Sequence, residues 1–77
     1  MVELLAFLAR ALVDDPGAVT VEEFEEDDGT LVLELSVAED DVGHVIGRGG
    51  RTIAALRQLV RAAGTKHGRR VVVDVVN

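Results

Sequence analysis

The pattern of apolar and polar positions divides the chain into six segments. Over residues 2–14, Leu4, Leu5, Leu8, Ala11 and Leu12 recur at helical spacing. Pro16-Gly17 supplies the stop. Residues 19–26 alternate imperfectly, as a strand, and lead into "DDGT", where Asp28-Gly29 is a strong signal for a tight hairpin turn. Residues 30–37 alternate cleanly and put Leu31, Leu33, Leu35 and Val37 on one face. "AEDD" reads as the start of a helix, with acids at its positive N-terminal end. A very short helix is predicted over 40–45, a glycine loop over 47–50 and a second long helix over 51–63. "GTKHG" reads as a loop, and residues 69–76 read as a valine-rich last strand.

The predicted order is therefore α-β-β-α-α-β, an α+β class. The hairpin makes the first two strands antiparallel neighbours. The crossover from the second strand to the last contains two helices, so those strands should run parallel with a right-handed connection. The expected three-stranded mixed sheet has the order first, second, third, with all helices on one face. The acidic first strand then lies at an edge, where its charges discourage edge-to-edge association. At about 100° per residue, Ile53, Leu56, Leu59, Val60 and Ala63 share an arc of roughly 120° and form the expected core face of the second long helix. Arg57 and Arg61 fall together on one flank, and Arg51 points away from the core.

Composition narrows the possibilities. Seventy-seven residues predict a single domain, 1–77, with one core. At 48% hydrophobic but only 3% aromatic, that core must be aliphatic. With no cysteine, disulfides and thiolate metal sites are excluded. The apolar N-terminal stretch is interrupted by Glu3 and Arg10 and is too short to span a bilayer. It has neither the basic start nor the small-residue cleavage site of a signal peptide. No membrane association is expected, and the chain reads as cytoplasmic. The net charge of −6 hides a division: residues 1–41 sum to −12 and residues 42–77 to +6. The positive half starts where the glycine motif starts.

That motif, "GHVIGRGGRT" over residues 43–52, carries the candidate chemistry. A helix N-terminus presents unpaired N–H groups and a partial positive charge. Glycines before it permit a tight turn and close approach of another group to the main chain. Arg48 and Arg51 add full charges, and the combination makes a phosphate cradle. A Gly-rich turn joining two short helices without a ligand is the plainer alternative. A nucleoside-triphosphate loop is rejected, because Val45 stands where its first glycine belongs and Arg51 replaces its lysine. The dinucleotide fingerprint fails because Thr52 occupies its last glycine position.

"VGHVIGRGGRTIAALRQLV" resembles the nucleic-acid-binding core of a KH domain, in which a G-x-x-G loop clamps a nucleotide backbone. The predicted element order is that of the type II KH fold. From "ALVDDP" near the start to "VVVDVVN" at the end, the chain is similar to the KhpA family of small bacterial RNA-binding proteins. The motif maps onto Ile46, Gly47, Arg48, Gly49 and Gly50. The resemblance implies a cytoplasmic binder of single-stranded RNA and RNA chaperone. It further implies a KhpB-like KH partner and a link to post-transcriptional regulation, cell shape and cell-wall homeostasis.

At the residue level, Gly47 and Gly50 would permit close backbone approach, and Arg48 and Arg51 would meet phosphates as charge-assisted donors. Val45 and Ile46 would supply an apolar floor for bases. Arg57 lies on the basic shoulder, and Lys66, His67, Arg69 and Arg70 would extend the track. With Phe7 and Phe24 the only aromatic residues, base stacking on aromatic rings is not expected. His44 and His67 have no ligand-spaced partner, Ser36 has no histidine placed to activate it, and Asp27-Asp28-Gly29 lacks the rest of a calcium loop. No metal, cofactor or enzymatic activity is expected. A core this small favours a homodimer or heterodimer. Val72 and Val76, with Val32, would line an open sheet face for that purpose, and the apolar surface of the first helix competes with it. The alternative function is a protein-interaction subunit with little direct RNA contact.

Overall fold

The computed structural model describes residues 1–76. Its elements are α1 (Val2–Leu12), β1 (Thr20–Glu25), β2 (Leu31–Ser36), α2 (Val42–Ile46), α3 (Arg51–Lys66) and β3 (Val71–Val75). Short 3-10 turns at Pro16–Ala18, Glu39–Asp41 and Arg48–Gly50 link them. The sheet order is β1-β2-β3, with β1 antiparallel and β3 parallel to β2. Leu31, Leu33 and Leu35 on β2 and Val71 and Val73 on β3 are buried beneath Leu5, Val45, Ile53, Leu56 and Val60. The core is aliphatic throughout, and both phenylalanines lie outside it, Phe7 at 70% and Phe24 at 48% exposure.

The short helix expected over 40–45 is a 3-10 turn at Glu39–Asp41 followed by α2 at Val42–Ile46, β1 and β2 are each shorter by one residue at either end, and three further boundaries differ for identifiable reasons. α1 stops at Leu12 because Val13 is extended, and the N–H groups of Asp14 and Asp15 then donate to Asp41 rather than to the helix. α3 does not stop at Ala63 but runs on to Lys66. Gly64 is a close-packing residue rather than a breaker: a Cβ there would lie 2.5 Å from Val71 Cγ2 and 2.9 Å from the Arg69 carbonyl oxygen. β3 starts at Val71, because the Arg69 N–H bonds the Gly64 carbonyl at 2.7 Å and closes the end of α3.

Two apolar stripes are also rotated. α1 buries Leu5, Ala6 and Ala9, whereas Ala11 and Leu12 are exposed. α3 buries Ile53, Leu56, Val60 and Gly64, and Leu59 stands 53% exposed instead of joining them. Leu8, Leu12, Leu56 and Leu59 line an open furrow between α1 and α3.

Candidate nucleic-acid interface

The glycine loop is shaped by three positive φ angles, at Gly47 (+76°), Gly49 (+63°) and Gly50 (+75°). Residues with a Cβ adopt this region only at a cost of about 1–2 kcal/mol each. Gly47 ends α2, its N–H bonding the Gly43 carbonyl, and the Gly50 N–H then bonds the Gly47 carbonyl at 3.1 Å. The glycines have distinct roles. A Cβ on Gly47 would fall 2.1 Å from Thr52 Oγ1 and 2.9 Å from the Thr52 backbone nitrogen. The group approaching Gly47 is thus the chain's own Thr52, a neighbour the sequence pattern did not single out. Gly49 and Gly50 have open space where a Cβ would stand. There the backbone is free for an external group to approach.

Arg48 and Arg51 are exposed, and among the described residues neither side chain makes a hydrogen bond or ion pair. No side chain caps the first turn of α3. Two free guanidinium groups and the positive end of a 16-residue helix therefore meet at one corner of the molecule. Ile46 is half-buried beside the loop, but Val45 is fully buried among the core residues. Val45 cannot form the surface floor expected of it; it supports α2 from beneath.

The basic shoulder continues along α3 with a different membership from the expected one. Arg57 reaches β3, its Nε donating to the Val73 carbonyl at 3.2 Å, which places it in the cleft between α3 and the free edge of the sheet. Arg61 lines the same side with Arg70. Arg69 is committed elsewhere, its guanidinium bonding Glu25 at 2.8 Å and the Gly29 carbonyl at 3.3 Å. It bridges the hairpin turn and the segment that enters β3 across an exposed surface. Lys66 belongs to the last turn of α3 rather than to a loop. At about 100° per residue it falls roughly opposite Arg57 on the helix and does not extend the basic shoulder.

Asp41 is a further residue whose role sequence spacing concealed. It is 2% exposed, and its two oxygens accept the N–H groups of Asp14 and Asp15, both at 3.0 Å, while His44 Nδ1 stands 2.9 Å from Oδ1. One carboxylate so fastens the α1–β1 connection to α2. The Asp14 N–H and the His44 ring hold the Asp41 carboxyl below its usual range, and the hydrogen bond to Asp41, followed by the charge of Asp14, raises His44. His44, expected to have no ligand-spaced partner, thus has Asp41 and Asp14 within 4.8 Å, with both Asp41 oxygens already accepting hydrogen bonds.

The pair gives stability a defined pH window. Asp41's contribution is present above its unfolded pKa of about 4 and is lost as pH falls through the lowered folded value. His44's contribution is present below about 6.5 and is lost as pH rises through its raised folded value. The pair therefore stabilises most between about pH 4 and 6.5. Asp41→Ala, which strands two backbone donors, is expected to lower Tm by on the order of 10 °C in that range and to flatten this pH dependence. Thermal melts of both proteins from acid to mildly alkaline pH check it.

Comparison with known proteins adds a second line of support. The family model described as "KhpA/KhpB, KH domain" matches residues 2–75. The chain belongs to the KhpA/KhpB KH-domain family. The α-β-β-α-α-β order and mixed three-stranded sheet are those of its type II KH fold. The chain is 51% identical over 78 residues to the RNA-binding protein KhpA of Halalkalibacterium halodurans, covering all of both chains. It is 45% identical over 76 residues to the KhpA of Caldanaerobacter subterraneus subsp. tengcongensis, covering 99% of this chain and 100% of that one. These KhpA relatives are named for RNA binding and not for an enzymatic activity. Among solved structures, Aquifex aeolicus Era bound to GDP and AlF4− superposes with a TM-score of 0.63 at 22% identity. The match covers 96% of this chain but 28% of Era, and it shows the shared fold. Among the described residues no helix is long and apolar enough to cross a membrane.

Proposed function

We propose that this KH domain binds single-stranded RNA, gripping the sugar-phosphate backbone at Gly47–Gly50 and laying the bases along the cleft between α3 and β3. The observation that carries the reading is the pair of unpartnered guanidinium groups, Arg48 and Arg51, on an open glycine turn that leads into α3. Ile46 offers the apolar contact beside the loop, and Arg57 and Arg61 stand along the cleft. Residues 1–77 act as a single domain in this reading. Its family membership favours a cytoplasmic RNA chaperone that works with a KhpB-type partner in post-transcriptional regulation, cell shape and cell-wall homeostasis.

With Arg69 paired and Lys66 on another flank, five cations of residues 42–77 remain, and Arg48, Arg51, Arg57 and Arg61 among them stand along the loop and cleft, for three or four phosphate contacts. The slope of log K against log salt is therefore expected to be shallow, roughly −2 to −3 at about 0.7 per contact on a single strand. Fluorescence anisotropy across a salt series measures it, and a slope near −7 would demand a far broader basic surface.

The same proposal includes pairing with a second KH chain, either another copy or a KhpB-type protein. The α1–α3 furrow offers the apolar surface for it, with Leu12 39% and Leu59 53% exposed. Leu59→Glu would place a carboxylate in that contact and is expected to shift a micromolar sample from dimer to monomer. Sedimentation velocity decides this; a dimer unaffected by Leu59→Glu would put the contact elsewhere.

A further inference from the structure

The sheet face turned away from the helices has an order of its own. Strand register puts Phe24, Val32 and Val72 side by side across all three strands. Two residues along each strand, it puts Glu22, Glu34 and Asp74 side by side. Phe24 is 48% exposed and Val72 38%, and Val76, beyond Asp74, is also 38% exposed. An apolar row therefore adjoins an acidic row. Among the described residues none of the three carboxylates makes an ion pair or hydrogen bond. Like charges placed opposite one another on neighbouring strands destabilise a sheet. Protection of an exposed edge accounts for acids on β1, but Glu34 lies on the central strand, where no edge needs protecting.

We propose that this face docks a basic amphipathic helix of a partner protein, lying across the strands with lysines or arginines over Glu22, Glu34 and Asp74 and apolar side chains on Phe24, Val32 and Val72. The dimensions agree. Three strands place the ends of the acidic row about 10 Å apart. Positions i, i+4 and i+7 of a helix cover about the same length. The apolar row runs parallel to it at about 7 Å, within reach of the adjoining helical stripe. The charge excludes the two other obvious occupants. RNA phosphates would face three carboxylates, and a second copy docked face to face would oppose acid with acid. The site lies on the opposite side of the sheet from α3, so both ligands can bind at once.

Amide chemical shifts of the full chain, titrated with two synthetic helical peptides, test the proposal. One peptide carries a leucine stripe beside lysines at i, i+4 and i+7; the other has glutamates in place of the lysines. The lysine peptide is expected to move the amides of residues 22–24, 32–34 and 72–74. Glu34→Lys should weaken it by about tenfold or more, and the milder Glu34→Gln should weaken it less, both with an unchanged circular dichroism spectrum. No shift with the lysine peptide, equal binding of both peptides, or shifts confined to the α1–α3 furrow would overturn the proposal. So would RNA moving the amides of residues 22–24 and 32–34, or loss of self-association in Glu34→Lys, either of which would name a different occupant.

Discussion

Arg48→Asp combined with Gly49→Asp is expected to remove measurable RNA binding from a protein that still folds. The Arg48 side chain is exposed and, among the described residues, makes no hydrogen bond or ion pair, so its replacement leaves the core untouched. Gly49 has open space around its Cα and a φ of +63°, where aspartate is among the better-tolerated residues. The strain should stay near about 1 kcal/mol, against about 4–11 kcal/mol for a domain of this size. At the RNA the effect is far larger. A charge-assisted phosphate contact is worth about 1.5–3 kcal/mol, and the variant replaces it with two carboxylates facing phosphate. Affinity should fall by more than about 100-fold. Electrophoretic shift and circular dichroism on the same preparation check both halves. Undiminished binding by the folded variant would take the loop out of the mechanism.

Gly47→Ala is expected to act oppositely, on the fold first and on RNA as a consequence. Its φ is +76°, and the added Cβ would collide with Thr52 Oγ1 at 2.1 Å and with the Thr52 nitrogen at 2.9 Å. A hydroxyl can rotate away, but the backbone nitrogen belongs to the first turn of α3 and cannot yield without moving that helix. The strain of a φ/ψ pair (+76°, 172°) open essentially to glycine alone, together with overpacking, should cost about 3 kcal/mol, or a fall in Tm of about 15 °C. Gly49→Ala meets no atom within 4 Å and should cost only the strain of its φ angle. Chemical denaturation of the two variants side by side measures the contrast. Equal losses would mean that Thr52 does not constrain Gly47.

Element order, strand pairing and the aliphatic core were legible because they depend on periodicity and turn chemistry, which are local. β2 alternates without exception, and Asp28-Gly29 closes the hairpin as signalled, with the Thr30 N–H bonding Asp28 Oδ1 at 2.9 Å. What remained hidden depends on tertiary proximity. Gly64 looks like a stop, yet the start of β3 passes so close to α3 that only glycine fits inside the helix there. Leu59 has a plausible core angle, but the sheet covers a narrower arc of α3 than the apolar stripe offers. Among candidate site residues, the loop arginines and glycines sit together as their adjacency required. Arg69 and Val45 depart from expectation because their neighbours, Glu25 and the core, lie far away in sequence. Asp41 resembles any other acid of "AEDD" until α1 and α2 are brought together.

The central claim, that single-stranded RNA lies on the glycine loop and the α3–β3 cleft, is tested most directly by amide chemical-shift mapping with a short unstructured oligoribonucleotide. The amides of residues 46–52, of the Arg57–Arg61 flank and of β3 are predicted to move together and saturably, while those of α1 and β1 stay in place. Saturable shifts centred on α1 or β1, or no shift at any residue at millimolar RNA, would contradict it.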